Sequence, residues 1–442
     1  MTEVMSENFE TPNLPSVGTG DCCDEFAKAA RLSRRRFLGG MAAAGAVGVA
    51  TSVFGDAVRQ TSFAATRGGN VLVVISFRGG IDGMGVVVPH HDPVYYSARK
   101  SIAVPANQLV AADAYFGLHP KMAPLQKFWD SGELAAVHAV GMTTPNRSHF
   151  EAMELIEDAD PGSSLRQGWV NRMVGLSGSP VAADTVHMGS STPPTLIEGP
   201  TPSVAMDTLS DISLSSYDGA DWQARRVRHL QRSWAGVTGP AGAAAKSALA
   251  TVGTLGPIGK QSYKPAAGVV YPEDWSAKGL ADALKDTAKL VKADIGTEVV
   301  SIDFGTWDFH DGYGNLGSGN MQRMIDAFAR SLAAFLADLG PLRDRVTIAT
   351  ISEFGRRTIE NGNGGLDHGW GNMMLLAGAG VKGGQYYGTW PKLTTGGDAD
   401  LQVTTDYKQV LGELIDNRFP DKNVSAVFPG LVKNYLGVTK AA

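Results

Sequence analysis

The chain has 442 residues, 43% of them hydrophobic and 19% charged, with a formal net charge of −5. That is ordinary globular composition, long enough for a large core, and a charge this small does not point to nucleic acid as the main partner. The 2 cysteines are adjacent, Cys22 and Cys23, which excludes a disulfide framework, an Fe–S cluster and Cys-ligated zinc; the 54 glycines show no Gly-X-Y period and indicate tight turns.

The first element is Ser33-Arg34-Arg35-Arg36-Phe37-Leu38, followed by a soft Ala/Gly/Val run to Phe54. That run is too short and too weakly apolar for a membrane span. With the arginines before it, it resembles a twin-arginine (Tat) export signal, which implies contact with the Tat translocase. Ser62-Phe63-Ala64 places cleavage after Ala64, so residues 1–64 are removed. No cysteine follows the run, so no lipid anchor is expected. The product, residues 65–442, is expected in a secreted, periplasmic or cell-envelope space, without a stable membrane anchor.

Asn70–Phe77 (NVLVVISF) reads as a buried strand and ends in a Gly-rich turn around Asp82. Val86–Val88 after it look β-like. Leu134–Val140 is a second buried strand, and a helix begins at Ser148. Thr185–Met188 is a short strand, and Ser203–Leu214 reads as a loop. Asp221–Trp234 has helical periodicity with basic residues on one face. The Gly/Ala/Pro-rich stretch near 236–272 reads as a surface excursion. Trp275–Ile295 and Met321–Leu339 are amphipathic helices. Val299–Phe304, Arg345–Ile351 and Met373–Ala377 are strands, and Thr405–Phe419 is a closing helix. Strands alternating with helices predict one α/β domain, a doubly wound, mostly parallel sheet with helices on both faces.

In such sheets ligands bind beyond the carboxyl ends of the strands. Asp82 in the first exit suits a metal ion or an arginine partner, and the turn does not match a dinucleotide fingerprint. The second exit gathers Thr144, Arg147, Ser148 and His149 before a helix. Ser148 reads as one half of a capping box with Glu151, or as a nucleophile at an anion-binding helix terminus. In the third exit, Asp308 and His310 are two residues apart and face one way in extended chain, a pair suited to zinc, iron or manganese. The fourth exit carries Glu353, as ligand, base or arginine partner, and Arg356, which can fork onto an anion. The Gly-rich loop after it brings Asp367 and His368.

The ordered runs LVVISFRGGIDGMGVVVP, LHPKMAPL, ELAAVHAVGMTTPNRSHFEA, GTWDFH, SEFGRR, GLDHGWGN and VKGGQYYG resemble the DUF1501 family over most of residues 70–435. That resemblance implies an alkaline phosphatase/sulfatase-like fold. It also implies one or two divalent metals (zinc, manganese, iron or calcium), with one site expected here because a usual histidine ligand is missing. The ligands it implies are Asp308 with His310, and His368 with Asp367, with Asp82 as the first-strand carboxylate. The nucleophile it implies is Ser148 or Thr144. Glu353-Phe354 stands where the superfamily commonly has an Asp-His pair, and no Cys-x-Pro-x-Arg sulfatase signature is present. The expected function is exported, metal-dependent hydrolysis of phosphate or sulfate esters, with Arg147 or Arg356 holding the anion. The alternative is a non-catalytic exported protein that binds an envelope component, glycan or partner, using aromatics such as Trp169, Trp222, Trp307 and Trp370.

Overall fold

Alternation along the first strand sets the two faces of the fold. In a computed structural model, which describes residues 69–160, 162–212, 220–396 and 398–441, β1 (Val71–Phe77) is buried along its whole length. Val71, Val73, Ile75 and Phe77 join one apolar core, while Leu72 and Val74 join another. A strand buried on both faces belongs in the middle of a parallel sheet, so its sequence is a continuous apolar run.

Eight further strands complete the sheet: β2 (Leu134–Gly141), β3 (Thr185–Met188), β4 (Val204–Met206), β5 (Val299–Phe304), β6 (Val346–Ile351), β7 (Asn372–Gly378), β8 (Tyr386–Tyr387) and β9 (Thr405–Asp406). The order is β8-β2-β7-β6-β1-β5-β3-β4, with β9 also beside β2. Every pairing is parallel except those of β7, which runs antiparallel to both β2 and β6. The sheet is therefore mostly parallel, as its sequence predicts, with one reversed strand. An antiparallel neighbour can be reached through a loop, without a crossover helix. Residues 352–371 form that loop. It leaves the carboxyl end of β6 and re-enters at the same edge, which brings Glu353, Arg356, Asp367 and His368 to the ligand edge of the sheet.

The longer helices are α1 (His149–Asp158), which opens on the site, α2 (Trp169–Gly175), α3 (Ala220–Ala235), α4 (Gly239–Lys260), α5 (Lys278–Ala293), α6 (Asn320–Leu339) and α7 (Tyr407–Arg418). α4, α5 and α6 bury apolar residues in the first core, α2 and α7 in the second. The sheet is thus covered on both faces.

Three local expectations are corrected. The stretch read as an excursion contains α4, whose Ala245, Ala248, Leu249, Val252, Leu255 and Ile258 are buried at helical spacing. Its many alanines favour the helix, and their small side chains permit close packing. Ser203–Leu214 holds β4 and a short 3-10 turn. Gly83–Val86 forms a single helical turn before Val87–Val88 pair with Gly117–Leu118. The segment read as an export signal, Cys22, Cys23 and the side chain of Trp222 lie outside the described residues. Among the described residues, no helix is long and apolar enough to cross a membrane.

Candidate metal centre

Three strand exits and the β6–β7 loop meet at the carboxyl edge of the sheet. His149 is the first residue of α1, after β2; Asp308 and His310 follow β5; His368 lies on the loop into β7. The ligand atoms of His149, Asp308 and His368 all lie within 4.8 Å of one another. The Nε2 atoms of His149 and His368 are 3.0 Å apart, and those of His310 and His368 are 2.9 Å apart. Asp308 Oδ1 is 3.2 Å from His368 Nε2 and 3.1 Å from His310 Nε2, while its Oδ2 is 3.4 Å from His149 Nε2. A tetrahedral site with bonds of 2.0–2.2 Å has edges of about 3.3–3.6 Å, close to these separations.

The far side of each ring decides what these contacts mean. His149 Nδ1 faces Glu353 Oε1 at 2.9 Å, His310 Nδ1 faces Asp367 Oδ1 at 2.9 Å, and His368 Nδ1 faces the Arg147 carbonyl at 2.8 Å. An ionised carboxylate and a carbonyl only accept, so all three Nδ1 atoms carry protons. In the neutral rings the Nε2 lone pairs therefore converge, beside a carboxylate. Lone pairs aimed at one another repel, and a cation among them removes the conflict. Carboxylate- or carbonyl-backed imidazoles are also how metal-binding histidines are held in one tautomer. The residues present fit a divalent metal.

The electrostatics of the bare cluster agree. Burial works to lower the His149 pKa, but hydrogen bonds that its ring donates to Asp308 and Glu353 raise it to about 9. The Asp308 hydrogen bond likewise raises His310, against burial. Burial pushes Asp308 up, yet the three histidines and Arg356 hold it far below the usual carboxylate range. The edge carries a concentration of negative charge that only cations or protons balance.

Several expected roles change. Asp82 is only 2% exposed, and its carboxylate is taken by Arg99 at 2.6 and 3.0 Å and by the Tyr313 hydroxyl at 2.7 Å. It forms a buried ion pair and stands outside the cluster. Asp367 holds His310 and accepts from Asn361, so it orients a ring and does not join the ligand group. Arg356 is buried, and its guanidinium donates to Asp308 and to the carbonyls of Gly79, Gly80, Trp307 and Leu366. With its donors so used, it fixes Asp308 and cannot fork onto a substrate anion. The Arg147 guanidinium is paired with Asp400. Glu353, 3% exposed, accepts from Gly79 N at 2.7 Å as well as from His149. A side chain at Gly79 is impossible: φ is +102°, and a Cβ would stand 2.7 Å from Trp307 N.

The capping box is absent: Ser148 is the N-cap of α1 without a side-chain cap bond, and Asn146 Oδ1 accepts from Ser148 N at 2.9 Å. The Ser148 hydroxyl has no hydrogen-bond partner among the described residues, so it is left for other use. Thr144 is exposed in the same loop. Trp169 and Trp307 are buried, and Trp370 donates to the Met142 carbonyl, so these three form no open stacking platform.

Two contributors are not among the sequence-derived site residues. His149 is one of three histidines in the exits, yet its neighbour Ser148 carries the sequence signal there. Phe354 packs at a tilt against both His149 (4.8 Å) and His368 (4.9 Å); the sequence marks the position only as a departure from an Asp-His pair.

Fold and site define a mostly parallel α/β protein with a histidine–aspartate centre at the carboxyl edge of its sheet. Residues 141–416 match the family described as "Protein of unknown function (DUF1501)", and the chain belongs to that family. No curated protein matches it by sequence. Similar solved structures include the C-terminal periplasmic domain of EcEptC from Escherichia coli in complex with Zn (9% identity, 72% of this chain and 75% of that one, TM-score 0.32). Phosphonoacetate hydrolase from Sinorhizobium meliloti in complex with phosphonoformate is another (12% identity, 69% and 60%, TM-score 0.29). A third is a protein in the alkaline phosphatase superfamily from Vibrio parahaemolyticus (9% identity, 76% and 68%, TM-score 0.28).

Proposed function

We propose that the protein is an exported, metal-dependent hydrolase of phosphate or sulfate esters, with a single metal site. The observation that carries the metal is the convergence of His149, His310 and His368 Nε2 atoms on Asp308, each ring backed by an acceptor at Nδ1. His149, Asp308 and His368 would hold the ion, with His310 beside them. Imidazole donors suit zinc, iron or manganese, whereas calcium prefers oxygen, so calcium leaves the set. A bound cation supplies Lewis acidity toward an ester oxygen.

The protein's own groups supply the rest. Ser148 offers an uncommitted hydroxyl immediately before His149, at the end of a helix whose first N–H groups favour an anion. It is the nucleophile in this reading, with Thr144 the other hydroxyl of the loop. Glu353 and Asp367 fix two imidazoles, and Arg356 fixes the carboxylate.

The test is metal content by mass spectrometry on protein purified without chelator, beside a His310→Ala, His368→Ala variant. Near-stoichiometric zinc, iron or manganese, lost in the variant, supports the reading and opens a screen of aryl phosphate and sulfate esters. A folded, metal-free protein that takes up none of these ions overturns it. A metal-loaded protein inert toward the esters overturns the hydrolase and leaves the metal.

A further inference from the structure

The helical hairpin formed by α3 and α4 concentrates positive charge. Residues 220–260 hold six basic side chains (Arg225, Arg226, Arg228, Arg232, Lys246 and Lys260) against one acidic, Asp221, in a chain whose net charge is −5. α3 carries four of the six. Its Val227, Leu230 and Trp234 are partly buried against Leu249 of α4. Arg225, Arg228, His229 and Arg232 are exposed.

The two sets lie on opposite sides of one helix. At about 100° per residue, Val227, Leu230 and Trp234 centre roughly 180° from the Arg225–Arg228–His229–Arg232 stripe. The apolar side is used in packing on α4, so the basic stripe faces away from the body. It extends about 10 Å along the helix. Arg225, Arg228 and Arg232 make no ion pair with any described residue, unlike the paired arginines around the metal centre.

We infer that this stripe docks the protein reversibly on an anionic phospholipid surface. The stripe is a row of exposed cations along one side of a helix, opposite in charge to an extended array of phosphates. Its apolar side is already occupied, so the contact is electrostatic and without insertion, and a stable anchor is not implied. Each arginine near an anionic bilayer strengthens binding about fivefold, and the attraction fades within a Debye length. The inference rests on neither the metal centre nor ester chemistry.

The test is co-sedimentation of the full chain with phosphatidylcholine vesicles containing about one-third phosphatidylglycerol, a surface of the charge that draws such clusters. Arg34, Arg35 and Arg36 are changed to glutamine in every chain, so the N-terminal cluster does not contribute. The expected result is binding at low salt, absent on pure phosphatidylcholine and lost at high salt. An Arg225→Gln, Arg228→Gln, Arg232→Gln chain should bind about a hundredfold more weakly, the product of three such factors, with unchanged circular dichroism and metal content. Equal binding by both chains overturns the inference, as does failure of the parent to bind. Retention on duplex DNA without retention on vesicles also overturns it, in favour of a different polyanion.

Discussion

Glu353 Oε1 accepts a hydrogen bond from His149 Nδ1 at 2.9 Å and another from Gly79 N at 2.7 Å, so one buried carboxylate ties the exits of β1, β2 and β6 together. Its other oxygen accepts from Ser352 Oγ at 3.1 Å. Losing an outer partner of a metal-binding histidine typically costs 10–100-fold in affinity, roughly. Glu353→Gln keeps an acceptor toward His149 and Gly79 but removes the charge, and is expected at the low end, near tenfold. Glu353→Ala removes the acceptor as well and should reach the high end, about a hundredfold. Competition against a chromophoric zinc chelator reads both. Identical affinity in all three proteins would show that His149 is not a ligand.

Arg356 separates anion binding from scaffolding. Its guanidinium donates to Asp308 at 2.7 Å and to the Gly80 carbonyl at 2.6 Å, inside the protein. Arg356→Met strands those acceptors, and each buried polar group left unpaired costs about 1–3 kcal/mol. The expected outcome is a fall of several kcal/mol in urea-unfolding stability. A substrate clamp would behave otherwise, with stability retained and KM raised for an anionic ester.

The buried pair of Asp82 and Arg99 gives the matching control. Removing one partner of a buried ion pair costs about 3–5 kcal/mol, because a charge is left without compensation. Asp82→Asn should therefore lower the unfolding midpoint sharply while metal stoichiometry in the folded fraction stays the same. Loss of the metal at retained stability would return Asp82 to the ligand set.

These three residues show where the sequence is legible and where it stops. β1, β5 and β6 are readable because β-branched and other apolar residues dominate each strand, so the few polar ones (Ser76, Ser301, Asp303, Thr347 and Thr350) do not hide the run. An apolar run carries no direction, so the reversal of β7 is invisible, although that reversal is what returns residues 352–371 to the site. Asp308, His310 and His368 are legible as carboxylate and imidazole at strand exits. Asp82 and Asp367 look the same in sequence, and what distinguishes them is a partner, Arg99 or His310, brought near by folding. Glycine serves both kinds of segment: in α4 it sits within a helix, while at Gly365, where a Cβ would come 2.3 Å from the His310 backbone, it lets the loop lie against the site.

Acid should act on the fold through buried histidines away from the proposed metal centre, His119 and His138 among them. His119 accepts from Lys121 N at Nδ1 and is 1% exposed; His138 stacks 4.3 Å from Phe116 and is 5% exposed. Burial lowers the pKa of each from 6.5 to about 4. The unfolded chain takes up these protons below pH 6.5 and the folded chain does not. Their stabilising contribution is therefore present above 6.5 and is lost as pH falls toward 4. A displacement of that size is worth of order 3 kcal/mol for each group. Glu157 works the other way: burial, against the pull of Arg78, raises it to about 7, so its contribution is present below 4.5 and is lost as pH rises through 7. The net curve is thereby flattened, and the measurement must be a difference. Urea-unfolding free energies of the parent and a His138→Gln variant, taken from pH 7.5 to 4.5, should converge as pH falls, the parent losing the advantage that its neutral imidazole holds at high pH. A gap that stays constant across that range would mean that His138 is already solvated in the folded protein.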